Sequence, residues 1–112
     1  MPEDVGPDLT DVTFDDLSGQ TEVDVQARDN NFVKPFIEVS PGTTITFVNR
    51  GRNPHNVLPA VDGAFATIEA DDLNPGDSQD LTFADPGDYP YYCSLHGTTT
   101  KGMVGVVRVI GA

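Results

Sequence analysis

One thiol, two imidazoles and one internal thioether are the side chains of this sequence that could hold a redox metal. The thiol is Cys93, the only cysteine, within Tyr91-Tyr92-Cys93-Ser94-Leu95-His96. His96 follows it by three positions, and Met103 follows across Gly97-Thr98-Thr99-Thr100-Lys101-Gly102. The second of the two histidines, His55, lies far upstream in Asn53-Pro54-His55-Asn56-Val57. Together these are the donors of a trigonal copper site with a long, weak axial thioether. A thiolate binds Cu(I) well and bonds covalently to Cu(II), while imidazole serves both oxidation states. A weak thioether favours the reduced ion and helps set the potential. Such a site changes shape little between oxidation states, so it passes single electrons with little reorganisation. Binding requires a deprotonated Cys93 and neutral histidines, so acid weakens it.

Taken singly, each residue has an ordinary explanation. A lone cysteine on a strand face is usually a small buried hydrophobe. A histidine after Asn-Pro can cap a turn, and a methionine at a strand start is usually core. The joint arrangement argues otherwise. Both histidines fall at loop–strand junctions, one of them just after the cysteine.

The elements that must position these residues read as short strands. Val23, Val25 and Ala27 alternate with Glu22, Asp24 and Gln26, the pattern of a half-buried strand. Phe36-Ile37-Glu38-Val39 runs into the Pro41-Gly42 turn, and residues 43–49 alternate again with Ile45 and Phe47 on one face. Val57 and Leu58 predict a short strand stopped near Pro59. In residues 60–73, Phe65 and Ile68 have helical spacing, which leaves room for one short helix. Leu81 and Phe83 mark a further strand, and Asp85-Pro86-Gly87-Asp88 a turn. Tyr89, Tyr91 and Cys93 should share a face, with Tyr92 opposite, and Val107 and Val109 flank Arg108 in the last strand. The spacing predicts a strand that ends near Cys93, with His96 in the following loop and Met103 opening the next strand. His55 must come from a separate strand edge. Several short strands joined by scattered Gly and Pro (11 and 9 copies) indicate an all-β sandwich or barrel.

Composition bounds the rest. A chain of 112 residues suffices for one domain with a modest core. We divide it into an acidic N-terminal arm, residues 1–20, and a folded domain, residues 21–112. Leu9, Val12, Phe14 and Leu17 allow the arm to pack loosely or as a short strand, and a disordered lead-in fits equally well. A formal charge of −12 argues against nucleic acid and anionic membrane as partners. It suits a cationic protein partner, a soluble monomer or a salty milieu that screens the self-repulsion. No run is long enough to span a membrane, and Met1-Pro2-Glu3-Asp4 does not open a secretory leader, so the chain is either cytoplasmic or a mature domain with its leader removed. One cysteine excludes an internal disulfide and a two-thiolate dinuclear copper centre.

Tyr92-Cys93-Ser94-Leu95-His96, Gly102-Met103-Val104-Gly105 and Pro54-His55-Asn56-Val57 resemble the corresponding segments of the plastocyanins and related small cupredoxins. So do Phe36-Ile37, Pro41 to Asn49 and Asp85-Pro86-Gly87-Asp88-Tyr89, and the resemblance runs from about Glu22 to Ile110. Halocyanin-like archaeal and bacterial proteins are close alternatives within the family. The resemblance implies a Greek-key β-sandwich with one copper ion, cycling between Cu(I) and Cu(II), held at one end by His55, Cys93, His96 and Met103. It implies that the Asn56 side chain ties neighbouring loops and that its backbone N–H lies near the sulfur. It also makes His96 the exposed ligand and electron port, rimmed by Pro54, Leu95 and Gly97, where donor and acceptor proteins dock briefly. The implied location is extracytoplasmic: the periplasm or the external face of a membrane, with any anchor outside this chain. Three departures stand out. The segment from His96 to Met103 is two residues longer than in plastocyanin, and Leu95 stands where proline is usual. After Val57 the acids thin to Asp62, Asp71 and Asp72, without the tight acidic docking run of plastocyanins, so a photosynthetic role does not follow.

An enzyme is disfavoured. Multicopper oxidases and copper nitrite reductases need more histidines than two. A cysteine hydrolase would need a base for Cys93 with a third group behind it, and none can be assigned. Zinc could occupy the same Cys and two His donors without carrying electrons. The serious rival is a module that stores copper or delivers it to another protein.

Overall fold

The computed structural model describes residues 6–61 and 63–111. Asp62, one of the scattered acids noted above, and the first residues of the arm lie outside the described residues. Nine strands follow in chain order: β1 (Asp15–Asp16), β2 (Glu22–Ala27), β3 (Phe32–Val33), β4 (Phe36–Val39), β5 (Thr43–Asn49), β6 (Leu58–Pro59), β7 (Ser78–Phe83), β8 (Gly87–Gly97) and β9 (Gly102–Val109). They form two facing sheets. One has the order β1-β4-β9-β8-β6, the other β3-β2-β5-β7. Neighbours within a sheet are mostly distant in sequence, so the chain crosses repeatedly between layers. This is the all-β cupredoxin-like sandwich that the resemblance implied.

Alternation builds the core as the sequence requires. In β2 the inward residues are Val23, Val25 and Ala27; in β5 they are Thr43, Ile45, Phe47 and Asn49. The two strands pair in parallel with Val25 opposite Phe47 and Ala27 opposite Asn49. Phe32, Phe47 and Tyr91 meet edge to face between the sheets, with centroids 4.8 to 6.3 Å apart. Two residues further along their strands come Asn49 and Cys93, both buried. The aromatic layer is therefore the floor beneath the ligand end.

The one short helix that residues 60–73 left room for is present as a 3-10 turn, displaced from Phe65 and Ile68. Ile68 instead makes an antiparallel bridge to Val57, and the turn covers Ala70–Asp72. The apolar pair at helical spacing is satisfied by packing, since Phe65 meets Phe83 edge to face and Ile68 is buried in the core. The strand expected at Val57–Leu58 is displaced by one residue, to Leu58–Pro59, which pairs with Tyr92 and Tyr91. Near the N-terminus, Asp15 and Asp16 pair in parallel with Ile37 and Glu38.

Candidate metal centre

His55, Cys93 and His96 converge from two segments, and their ligand atoms all lie within 4.8 Å of one another. The Cys93 Sγ stands 3.6 Å from His55 Nδ1 and 3.7 Å from His96 Nδ1. The imidazole centroids are 4.9 Å apart. Cys93 and His55 are fully buried, whereas His96 is partly exposed.

The last five residues of β8 explain how Cys93 and His96 reach one point. In a regular strand, residues three apart face opposite sides. Here Tyr92 pairs with Val104 and Gly97 with Gly102, so the four residues Cys93 to His96 oppose the single residue Met103. This wide bulge turns His96 back toward the sulfur. The strand thus continues through both residues to Gly97, where the spacing predicted a strand end and a loop. Met103, fully buried, is the residue facing the bulge.

The long segment before Met103 is accommodated outside the site. Thr98 N donates to Lys101 O at 2.8 Å, closing a tight turn, and Gly97 pairs with Gly102 beneath it. Both glycines are required by close approach. A Cβ on Gly97 would stand 2.5 Å from Met103 N, and one on Gly102, whose φ is 86°, would stand 2.8 Å from His96 O. The four residues between these glycines are taken up in that turn.

Two asparagines brace the other side. Asn56 grips Ser94, the residue after Cys93: its Oδ1 accepts from Ser94 N and its Nδ2 donates to Ser94 Oγ, each at 2.9 Å. The tie between loops implied for Asn56 is therefore present. Asn49 donates through Nδ2 to the carbonyls of Asn53 and Leu73 at 2.8 Å each and accepts from Gly51 N at 2.8 Å. It thereby holds the loop that delivers His55, whose own N–H donates to Leu73 O at 3.2 Å. Sequence reasoning missed Asn49, although a signal existed: it is a polar residue at an inward position of an alternating strand.

Burial, and then the neighbouring His96, hold the His55 pKa below its ordinary value, with Asp29 opposing them. A histidine kept neutral is ready to ligate a cation. The donor spacing also fits one. At metal–sulfur and metal–nitrogen distances of about 2.3 and 2.0 Å, with trigonal angles, sulfur and nitrogen donors stand about 3.7 Å apart.

The comparisons with known proteins agree. Residues 19–110 match the family described as copper binding proteins, plastocyanin/azurin family. A chloroplastic plastocyanin of Physcomitrium patens is 39% identical over 85 residues, which are 70% of this chain and 49% of that one. The chain thus spans about half the length of that relative. The plastocyanin of Mercurialis perennis is 36% identical over 105 residues, 86% of this chain and 99% of its own. Among solved structures, a mutant amicyanin in its reduced Cu(I) form superimposes with a TM-score of 0.66 at 28% identity, over 80% of this chain and 83% of that one. A copper-containing nitrite reductase of Thermus scotoductus gives 0.62 at 25% identity, over 81% of this chain but only 23% of that larger one. A match over this much of the chain shows that it belongs to the plastocyanin/azurin family of copper-binding proteins.

Proposed function

We propose that this protein is a blue-copper electron carrier, in which His55, Cys93 and His96 would hold one copper ion and the Met103 thioether would add a weak further contact. The convergence of one cysteine sulfur and two Nδ1 atoms opposite Met103 is the observation that carries this reading. Copper supplies the one-electron couple; the chain supplies a buried, braced donor set that leaves little room to rearrange. His96 is the port, because it is the ligand that is partly exposed. Leu95 beside it is 53% exposed, one of the few large apolar side chains left at the surface, and Pro54 is exposed too. A small apolar rim of that kind suits brief docking of a redox partner.

A carrier fits better than an enzyme. Among the described residues this is the one group of three or more potential His, Cys or carboxylate ligands, and the chain has only two histidines. No described helix is long and apolar enough to cross a membrane. A monomer in an extracytoplasmic compartment, exchanging electrons between a donor and an acceptor protein, is the assignment we favour. A copper store or delivery module would use the same donors but would release the metal.

A visible spectrum and a metal analysis on one sample test the reading. Oxidised, copper-loaded protein should be intensely blue from thiolate-to-Cu(II) charge transfer and should cycle reversibly with copper retained. Cys93→Ala should abolish the colour. Met103→Leu should keep it and raise the potential. A colourless Cu(II)-loaded wild type would sink the assignment, and an unchanged potential in Met103→Leu would remove Met103 from the axial position.

A further inference from the structure

His55 has one ring nitrogen accounted for and one left over. Nδ1 faces the Cys93 sulfur at 3.6 Å. Nε2 is buried and has no hydrogen-bond partner among the described residues. An imidazole that ligates through Nδ1 must carry its proton on Nε2, and a buried N–H without an acceptor is costly. The surroundings supply one candidate. Around Gly51, four residues before His55, a Cβ would stand 2.5 Å from Asp29 Oδ1 and 3.0 Å from His55 Nε2. The two atoms thus converge on one bare Cα and lie no more than 5.5 Å apart, the sum of those two distances. A side chain at position 51 would occupy the space where they approach.

Asp29 is held in this place. Its Oδ1 accepts from Arg52 N at 2.6 Å, which clips the loop after β2 to the loop before His55. It makes no salt bridge among the described residues.

We infer that Asp29 is the positioning carboxylate of His55, taking the Nε2–H directly or through one bridging water across the gap left open by Gly51. The inference rests on the copper reading above. Such a contact fixes the tautomer that leaves Nδ1 free for the metal, stops the ring from rotating and makes the imidazole a stronger donor. A stronger donor beside an added negative charge favours Cu(II), so Asp29 lowers the reduction potential. No step of electron transfer passes through it.

Asp29→Asn tests this, because an amide oxygen can still accept from Arg52 N while the charge is gone. Asp85→Asn, in the turn at the opposite end of β8, is the control for net charge. Reduction potentials of the copper-loaded proteins should rise several times more in Asp29→Asn than in Asp85→Asn, and Asp29→Glu should recover part of the difference. Nitrogen-15 spectra of the histidine rings in metal-free protein should show an Nε2–H tautomer at His55 that weakens in Asp29→Asn and persists in Asp85→Asn. Equal potential shifts in the two Asn variants, or a His55 tautomer indifferent to Asp29, would overturn the inference. The tautomer is read without metal, so Asp29 is tested even if the wild type proves not to be blue.

Discussion

On the outer face of the five-stranded sheet, Arg108 of β9 donates through Nε and Nη2 to the two carboxylate oxygens of Asp88, at 2.8 and 3.1 Å. Glu38 lies on its other side at 3.8 Å, and the guanidinium sits 4.0 Å above the Phe14 ring. The register places Glu38, Arg108 and Asp88 in one row across β4, β9 and β8. At the ligand end of the same two strands, β8 and β9, the arrangement is reversed. His55 is buried, its Nε2 has no hydrogen-bond partner among the described residues, its ring is tilted 54° against a second imidazole, and the β8–β9 ladder is interrupted opposite Met103. The first region is regular, exposed and satisfied. The second is irregular and largely buried. Regular pairing fixes the sheet, whereas the interruption lets side chains three apart meet at one point.

If that contrast is right, disturbing the ligand end should cost both stability and spectrum. Asn56→Ala removes both bonds to Ser94 and should destabilise the metal-free protein by about 1–2 kcal/mol. Because Ser94 follows Cys93, the same change should also shift the copper absorption, measured beside a denaturant melt. A variant that melts earlier with an untouched spectrum would show that the Asn56–Ser94 grip braces the loops without reaching the sulfur.

Protons distinguish the two ends next. Burial and His96 depress the folded-state pKa of His55 from its ordinary 6.5. Between that ordinary value and the lower folded one, the unfolded chain binds more protons than the native one. Stability of the metal-free protein is therefore full above about pH 6.5, falls as pH drops through this window, and levels off below the folded pKa. Urea melts across the window should show this slope in the wild type and a flatter one in His55→Gln. An equal slope in both would assign the acid sensitivity to other groups.

How much of this could be read beforehand follows the same division. Alternation exposed the inward faces of β2 and β5, because a residue period of two depends on nothing beyond the strand itself. The four candidate ligands were legible from residue type and local context. What stayed hidden depended on partners distant in sequence. The bulge from Cys93 to His96 exists only because β9 supplies one residue where β8 supplies four. Asn49 looks like the polar end of a strand until Asn53 and Leu73 present their carbonyls to it. The Phe65 and Ile68 spacing placed the short helix too early in its segment, since short apolar spacings cannot separate a helical turn from a loop whose side chains pack inward. Asp29 carried no signal at all, because its nearness to His55 is created by Gly51 on a different strand connection.

The smallest expected effect is at Arg108, and it is the one that isolates the comparison. Arg108→Ala removes an exposed bidentate pair and a cation–π contact, each of which contributes little in water. The loss should be no more than about 1 kcal/mol and should shrink further in high salt. Phe14 would lose the cation above its ring but keep its edge contact with Phe36, at 5.8 Å between centroids. Cleavage near residue 14 by a protease should therefore quicken before the global melt changes much. Absorption and potential should stay at their wild-type values, because Arg108 lies near the end of β9 remote from Met103. A spectral change in Arg108→Ala would mean that strain in the regular part of the β8–β9 ladder is transmitted to the bulge, and that the two regions are coupled through the strands they share.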